Sequence, residues 1–136
     1  MDNIDWESLK YFKRSEFKHP DKMNRFLIYR LEEFRRRIGH AIVIHSDYRE
    51  GDKGYHGKGD AVDVHIKDIP LSYAYILAER SGLFNGIGIY PAWNHPGLHL
   101  DIRSGDGARW GSWNQSNHIY VPLNEDFFLR LMKEGK

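Results

Sequence analysis

The residues best suited to chemistry are His56 and Asp63, in the run His56-Gly57-Lys58-Gly59-Asp60-Ala61-Val62-Asp63. Imidazole nitrogen and carboxylate oxygen are both zinc donors, at about 2.0–2.2 Å. An offset of seven residues that holds two glycines lets the chain fold back, so both side chains can reach one ion. Asp is poorly suited to a strand interior, and Asp63 stands between Val62 and Val64. The same pair also fits a loop histidine and a solvent-facing strand carboxylate. In His99-Leu100-Asp101-Ile102-Arg103, strand alternation puts His99, Asp101 and Arg103 on one face. Such a polar triplet is either solvated or lines a site. Joined to His56 and Asp63, His99 completes a set of three metal ligands with an open fourth position, the pattern of catalytic rather than structural zinc. Arg49 suits an anionic group, because guanidinium binds carboxylate through two parallel hydrogen bonds; it equally fits an ordinary loop arginine.

The chain holds eight histidines and no cysteine, so thiolate metal sites, a cysteine nucleophile and a disulfide scaffold are excluded. His65 shares the strand face of Asp63 and is a candidate ligand or a support for one. His95 lies four residues before His99, but Pro96 and Gly97 between them rule out the helical spacing of an H-E-x-x-H site. His45 alternates with Ile44 on a strand and is either buried near the site or solvated, whereas His19, His40 and His118 read as surface or capping residues. Gly86-Ile87-Gly88 is too short for a dinucleotide fingerprint, and neither G-x-S-x-G nor a P-loop is present.

The elements that must position these residues are legible from periodicity. Met23, Leu27, Leu31, Phe34 and Ile38 form one apolar face and predict a helix over about 20–38, with Pro20 in its first turn and Gly39 as its stop. A short turn is expected at 6–12. Strands are expected at 41–46, 61–66, 86–90, 99–103, 108–111 and 118–122. Residues 47–60 are a polar, glycine-rich loop of the length that usually carries function. A second helix is expected from Leu71 to Arg80, and a third follows an Asn124 cap to about 134. Together they predict an α+β fold, a small antiparallel sheet packed with helices, in one domain spanning 1–136.

Composition narrows the classes. The length of 136 residues suits one domain with its own core. The 20 basic and 19 acidic residues nearly balance, and the Arg35-Arg36-Arg37 run fits a solvated helix face, so no nucleic-acid partner is expected. No apolar run approaches the roughly 20 residues of a membrane span, so no membrane partner is expected either. The opening MDNIDWESLKYF is polar and acidic and predicts no signal peptide, hence synthesis in a cytoplasm.

Ser46-x-x-Arg49, then His56-x-x-Gly59-x-Ala61-x-Asp63, then His99 within HLDIR resembles the zinc D-Ala-D-Ala carboxypeptidase family, which also holds peptidoglycan endopeptidases. The likeness is to its small single-domain branch, which includes phage enzymes, and covers about residues 12–111. It implies a hedgehog-like fold, Zn2+ held by His56, Asp63 and His99, and a monomer acting on a peptidoglycan peptide. It further implies that Arg49 binds substrate carboxylate or stabilises the transition state, with Ser46 as its companion. An enzyme of this kind encoded by a phage would reach the wall after release and need no signal peptide. One departure matters: many members place Asp or Glu three residues before the last ligand histidine, and here that position is Pro96. Asp101 and His95 are the candidates for the proton-transfer residue, and Asp101 is also a candidate for orienting a ligand histidine. The departure also leaves open a catalytically inactive module that binds metal or peptidoglycan.

Overall fold

Helix α1 spans Arg25–Ile38 and buries Leu27, Ile28, Leu31 and Phe34. Its opposite face carries Arg36 and Arg37, both paired with Glu33. The helix begins later than its apolar periodicity suggests. Asn24 caps it by accepting from the Phe26 N–H at 2.9 Å, and Pro20–Lys22 forms a separate 3-10 turn. The chain before it is pinned to α1 by Glu32, whose carboxylate accepts from the N–H groups of Lys10, Tyr11 and Phe12. This is a computed structural model in which residues 4–114 and 119–136 are described; His118 lies outside them.

Among the described residues five strands form one sheet: β1 (Ile42–Ser46), β2 (Ala61–Ile66), β3 (Gly86–Tyr90), β4 (Gly97–Asp101) and β5 (Ala108–Gly111), in the order β1-β2-β4-β3-β5. Helix α2 (Leu71–Ser81) connects β2 to β3, and α3 (Glu125–Lys133) follows the sheet, capped by Asn124. The fold is α+β, as expected, but the sheet is mixed rather than antiparallel. After β4 the chain reverses and β5 pairs with the far side of β3. Since β3 is itself antiparallel to β4, β5 must run parallel to β3. Two further expectations shift. The strand expected at 99–103 runs from Gly97 to Asp101, so Arg103 lies beyond it. Of the strand expected at 118–122, the described part makes one isolated bridge, Val121 to Gly111.

Register divides the sheet into two faces. Val62 and Val64 of β2, Leu98 and Leu100 of β4, and Ile87 and Ile89 of β3 are neighbours on the helix-packed face, and all are fully buried. Burying each such side chain contributes about 1.5–3 kcal/mol. On the other face one row crosses all five strands: Ser46 opposite Asp63, Asp63 opposite His99, His99 opposite Gly88, and Gly88 opposite Trp110. The adjoining row places Ala61, Asp101, Gly86 and Ala108 side by side. No helix among the described residues is long and apolar enough to cross a membrane.

Candidate metal centre

Asp63 and His99 meet because β2 and β4 pair in that register. His56 reaches them from a 3-10 turn, Tyr55–Lys58, at the end of the long loop. The turn is anchored on both sides. Gly59 takes a left-handed conformation (φ 73°) against the Lys22 carbonyl, where a Cβ would lie 2.0 Å from that oxygen. Asn24, besides capping α1, donates from Nδ2 to Asp60 at 2.9 Å and from its backbone to the Gly59 carbonyl. The loop itself closes through the Arg49 N–H on the His56 carbonyl.

The three side chains converge. Asp63 Oδ1 lies 3.2 Å from His56 Nε2 and 3.3 Å from His99 Nδ1. Among the described residues this is the group whose ligand atoms lie close enough, all within 4.8 Å of one another, to hold a metal ion. All three are buried or nearly so. The remaining ring nitrogens are committed elsewhere: His56 Nδ1 donates to the Asp47 carbonyl at 2.7 Å, and His99 Nε2 donates to Asp101 Oδ2 at 2.7 Å. These outer bonds assign the tautomers, leaving lone pairs on His56 Nε2 and His99 Nδ1 beside a carboxylate oxygen. With both rings neutral, three buried acceptors face one another and call for a cation, so the residues fit a divalent metal ion.

In the metal-free protein, hydrogen bonds to Asp63 take its place. Burial works to raise the Asp63 carboxyl, but hydrogen bonds and charge from His56 and His99 outweigh it and hold it far below the usual carboxylate range. Burial likewise disfavours the charged form of His99, and is outweighed by Asp101 and Asp63, so its pKa is raised. Asp101 is wholly inaccessible. Its carboxyl is held low by His99 and by Arg103, whose Nη2 lies 2.7 Å away, against the opposing effect of burial. Arg103 turns back from beyond β4 to make this pair. Its guanidinium stands 4.4 Å from the Tyr55 ring centre and 5.2 Å from that of Trp110.

The ligand set opens on a cavity of about 340 Å³, whose walls include Arg49, Asp52, Tyr90, Trp93 and Trp110. Arg49 Nη2 donates to Asp63 Oδ2 at 3.0 Å and to Ser46 Oγ at 3.2 Å, and Nη1 is 3.5 Å from Asp52. Trp110 donates from Nε1 to the Tyr90 hydroxyl, which burial pushes up to about 12.

The sequence-expected residues thus fall into two groups. His56, Asp63, His99, Arg49 and Ser46 are brought together. Asp101 supports His99 from behind, and both its oxygens are bound to His99 and Arg103 with no exposure to the cavity, the geometry of orientation rather than proton transfer. His95 stands with His45 and His65, outside the contacts of the ligand set. Burial and neighbouring imidazoles lower the pKa of both His45 and His65. His19, half exposed, is more than a bland surface group. Its ring and its backbone N–H both bond the buried Asp47 carboxylate, fixing the residue whose carbonyl holds His56.

Sequence reasoning missed the aromatic wall, Asp47 and the use of Gly86 and Gly88. The glycines carried a readable signal, since alternate glycines in a strand mark close approach on one face. A Cβ on Gly86 would lie 2.3 Å from both Asp101 oxygens, and one on Gly88 2.6 Å from the Trp110 ring.

Comparison of the chain with protein-family models, with curated proteins and with solved structures gives no match. The functional reading therefore rests on the residues of the site.

Proposed function

We propose that the protein is a zinc-dependent peptidase that hydrolyses an amide bond in peptidoglycan peptides, with a hedgehog-like domain as its scaffold. The observation that carries this reading is the convergence of His56, Asp63 and His99 on one point, beside Arg49, at the floor of an open cavity. Zinc bound there would polarise a scissile carbonyl and lower the pKa of water toward about 7. The chain's own residues supply the rest. Ser46 and Asp63 fix one edge of the Arg49 guanidinium. Nη1 lies 3.5 Å from Asp52, and the guanidinium, which lines the cavity, would hold a substrate carboxylate or the developing oxyanion. Asp52 is the carboxylate in that wall besides Asp63, and the two flank the same guanidinium. Its Oδ1 is committed to the Gly54 N–H at 2.6 Å and its Oδ2 faces Arg49, so it holds the loop and the guanidinium in place. Asp101, sealed behind His99, is a positioning residue.

The ligand assignment is tested by zinc content and peptidoglycan turnover of purified His56→Ala and Asp63→Ala proteins. Both are expected to fold, to lose stoichiometric zinc and to lose turnover. Stoichiometric zinc in the His56→Ala protein contradicts the assignment. Wild-type protein that holds zinc and retains peptidoglycan without cutting it would favour a binding module, the reading suggested by Pro96.

A further inference from the structure

Three histidines outside the ligand set stand together on the site face of the sheet. His45 is the extra residue of a bulge in β1: Ile44 pairs with Val64 and Ser46 with Asp63, so His45 has no partner of its own. A bulge re-aims a side chain, and this one leans on β2. His65 follows Asp63 by two residues on that strand, and His95 lies in the turn between β3 and β4. The ring centres of His45 and His65 are 4.7 Å apart, those of His65 and His95 4.8 Å, and those of His45 and His95 5.1 Å. His45 Nε2 and His65 Nδ1 are in hydrogen-bond contact, so one of them presents a lone pair. No described carboxylate pairs with any of the three, so ion pairing does not account for their grouping. His45 and His95 line a second cavity, of about 380 Å³, that reaches Asp63 past Trp93.

We propose that His45, His65 and His95 form a second site for a borderline transition-metal cation such as Zn2+, Ni2+ or Cu2+, separate from the His56, Asp63 and His99 set. Imidazole is the common ligand of all three ions, and three imidazoles from three elements leave further positions for water. Binding requires both His45 Nε2 and His65 Nδ1 to offer lone pairs. The proton between them moves to the other nitrogen of its own ring, a change of tautomer with no net release. His95, which is exposed, turns to bring in the third nitrogen. The first set already holds its ligand atoms together. The second needs this rearrangement, so its ion binds more weakly.

The test is titration of metal-stripped protein with Zn2+ and, separately, Ni2+. Bound metal is measured after equilibrium dialysis, and for Zn2+ the histidine ring nitrogens are followed by NMR. The ring signals of His45, His65 and His95 are expected to shift together as a second equivalent binds. The double variant His45→Ala/His95→Ala should lose that equivalent, and His56→Ala should retain it. Because the ring signals report the trio directly, the outcome does not depend on peptidase activity. Ring signals that stay unmoved at tenfold metal excess, or a second equivalent that survives in the double variant, overturn the proposal.

Discussion

At the ligand set the decisive protons are those held away from it. His56 keeps its Nδ1 proton on the Asp47 carbonyl and His99 its Nε2 proton on Asp101, which aims a lone pair from each ring at Asp63. Outer partners of this kind are typically worth 10–100-fold in metal affinity. Asp101→Asn is therefore expected to weaken zinc binding by about that factor, measured by competition with a chelator. Unchanged affinity would deny Asp101 its positioning role. The same carboxylate sets a pH dependence in the metal-free protein. Its folded pKa is depressed, so its contribution to stability is present above the ordinary carboxyl value of about 3.9 and is lost as pH falls below it. Urea midpoints of the metal-free protein should fall with pH in that acid range, and less steeply in Asp101→Asn. Much of the set was legible in the sequence because ligand chemistry leaves few residue types, and a strand Asp between two valines asks for a reason. The roles of Asp101 and His95 were not, since spacing shows which face a side chain shares but not whether it reaches solvent.

Among the elements, β3 and β4 carry the arrangement. Ile87 and Ile89 complete the core on one face, while Gly86 and Gly88 on the other leave room for Asp101 and the Trp110 ring. Gly86→Ala would put a methyl group 2.3 Å from both Asp101 oxygens, so the carboxylate must move. Overpacking of this sort costs about 1–3 kcal/mol, and it should weaken zinc binding through His99 as well. Thermal unfolding and chelator competition on this one variant check both effects; wild-type values for the two would show that the close approach is not needed. Alternation made β2 and β3 legible, and periodicity gave the buried face of α1. The start of α1 at Arg25 was hidden because Met23 is buried like the helical positions although it precedes the Asn24 cap. The direction of β5 was hidden because it depends on which side of the sheet the chain returns to, not on any local pattern.

On the scale of the whole molecule, a sheet with helices on one face leaves its other face to build a site. One cross-strand row runs from Ser46 through Asp63 and His99 to Trp110, so two of the candidate ligands sit near the centre of the sheet and Trp110 on its edge strand. Nearly balanced charge fits this plan, because the cations that matter, Arg49 and Arg103, are local and each is tied to a site carboxylate. We propose that this face, loaded with zinc, cuts an amide bond in peptidoglycan peptides. Mass spectrometry of purified peptidoglycan incubated with the protein, with and without a chelator, tests it most directly. The expected result is new peptide fragments that identify the severed amide, absent when chelator is added and restored by added zinc. Peptidoglycan left intact by zinc-loaded protein, or the same fragments in the presence of chelator, would contradict it.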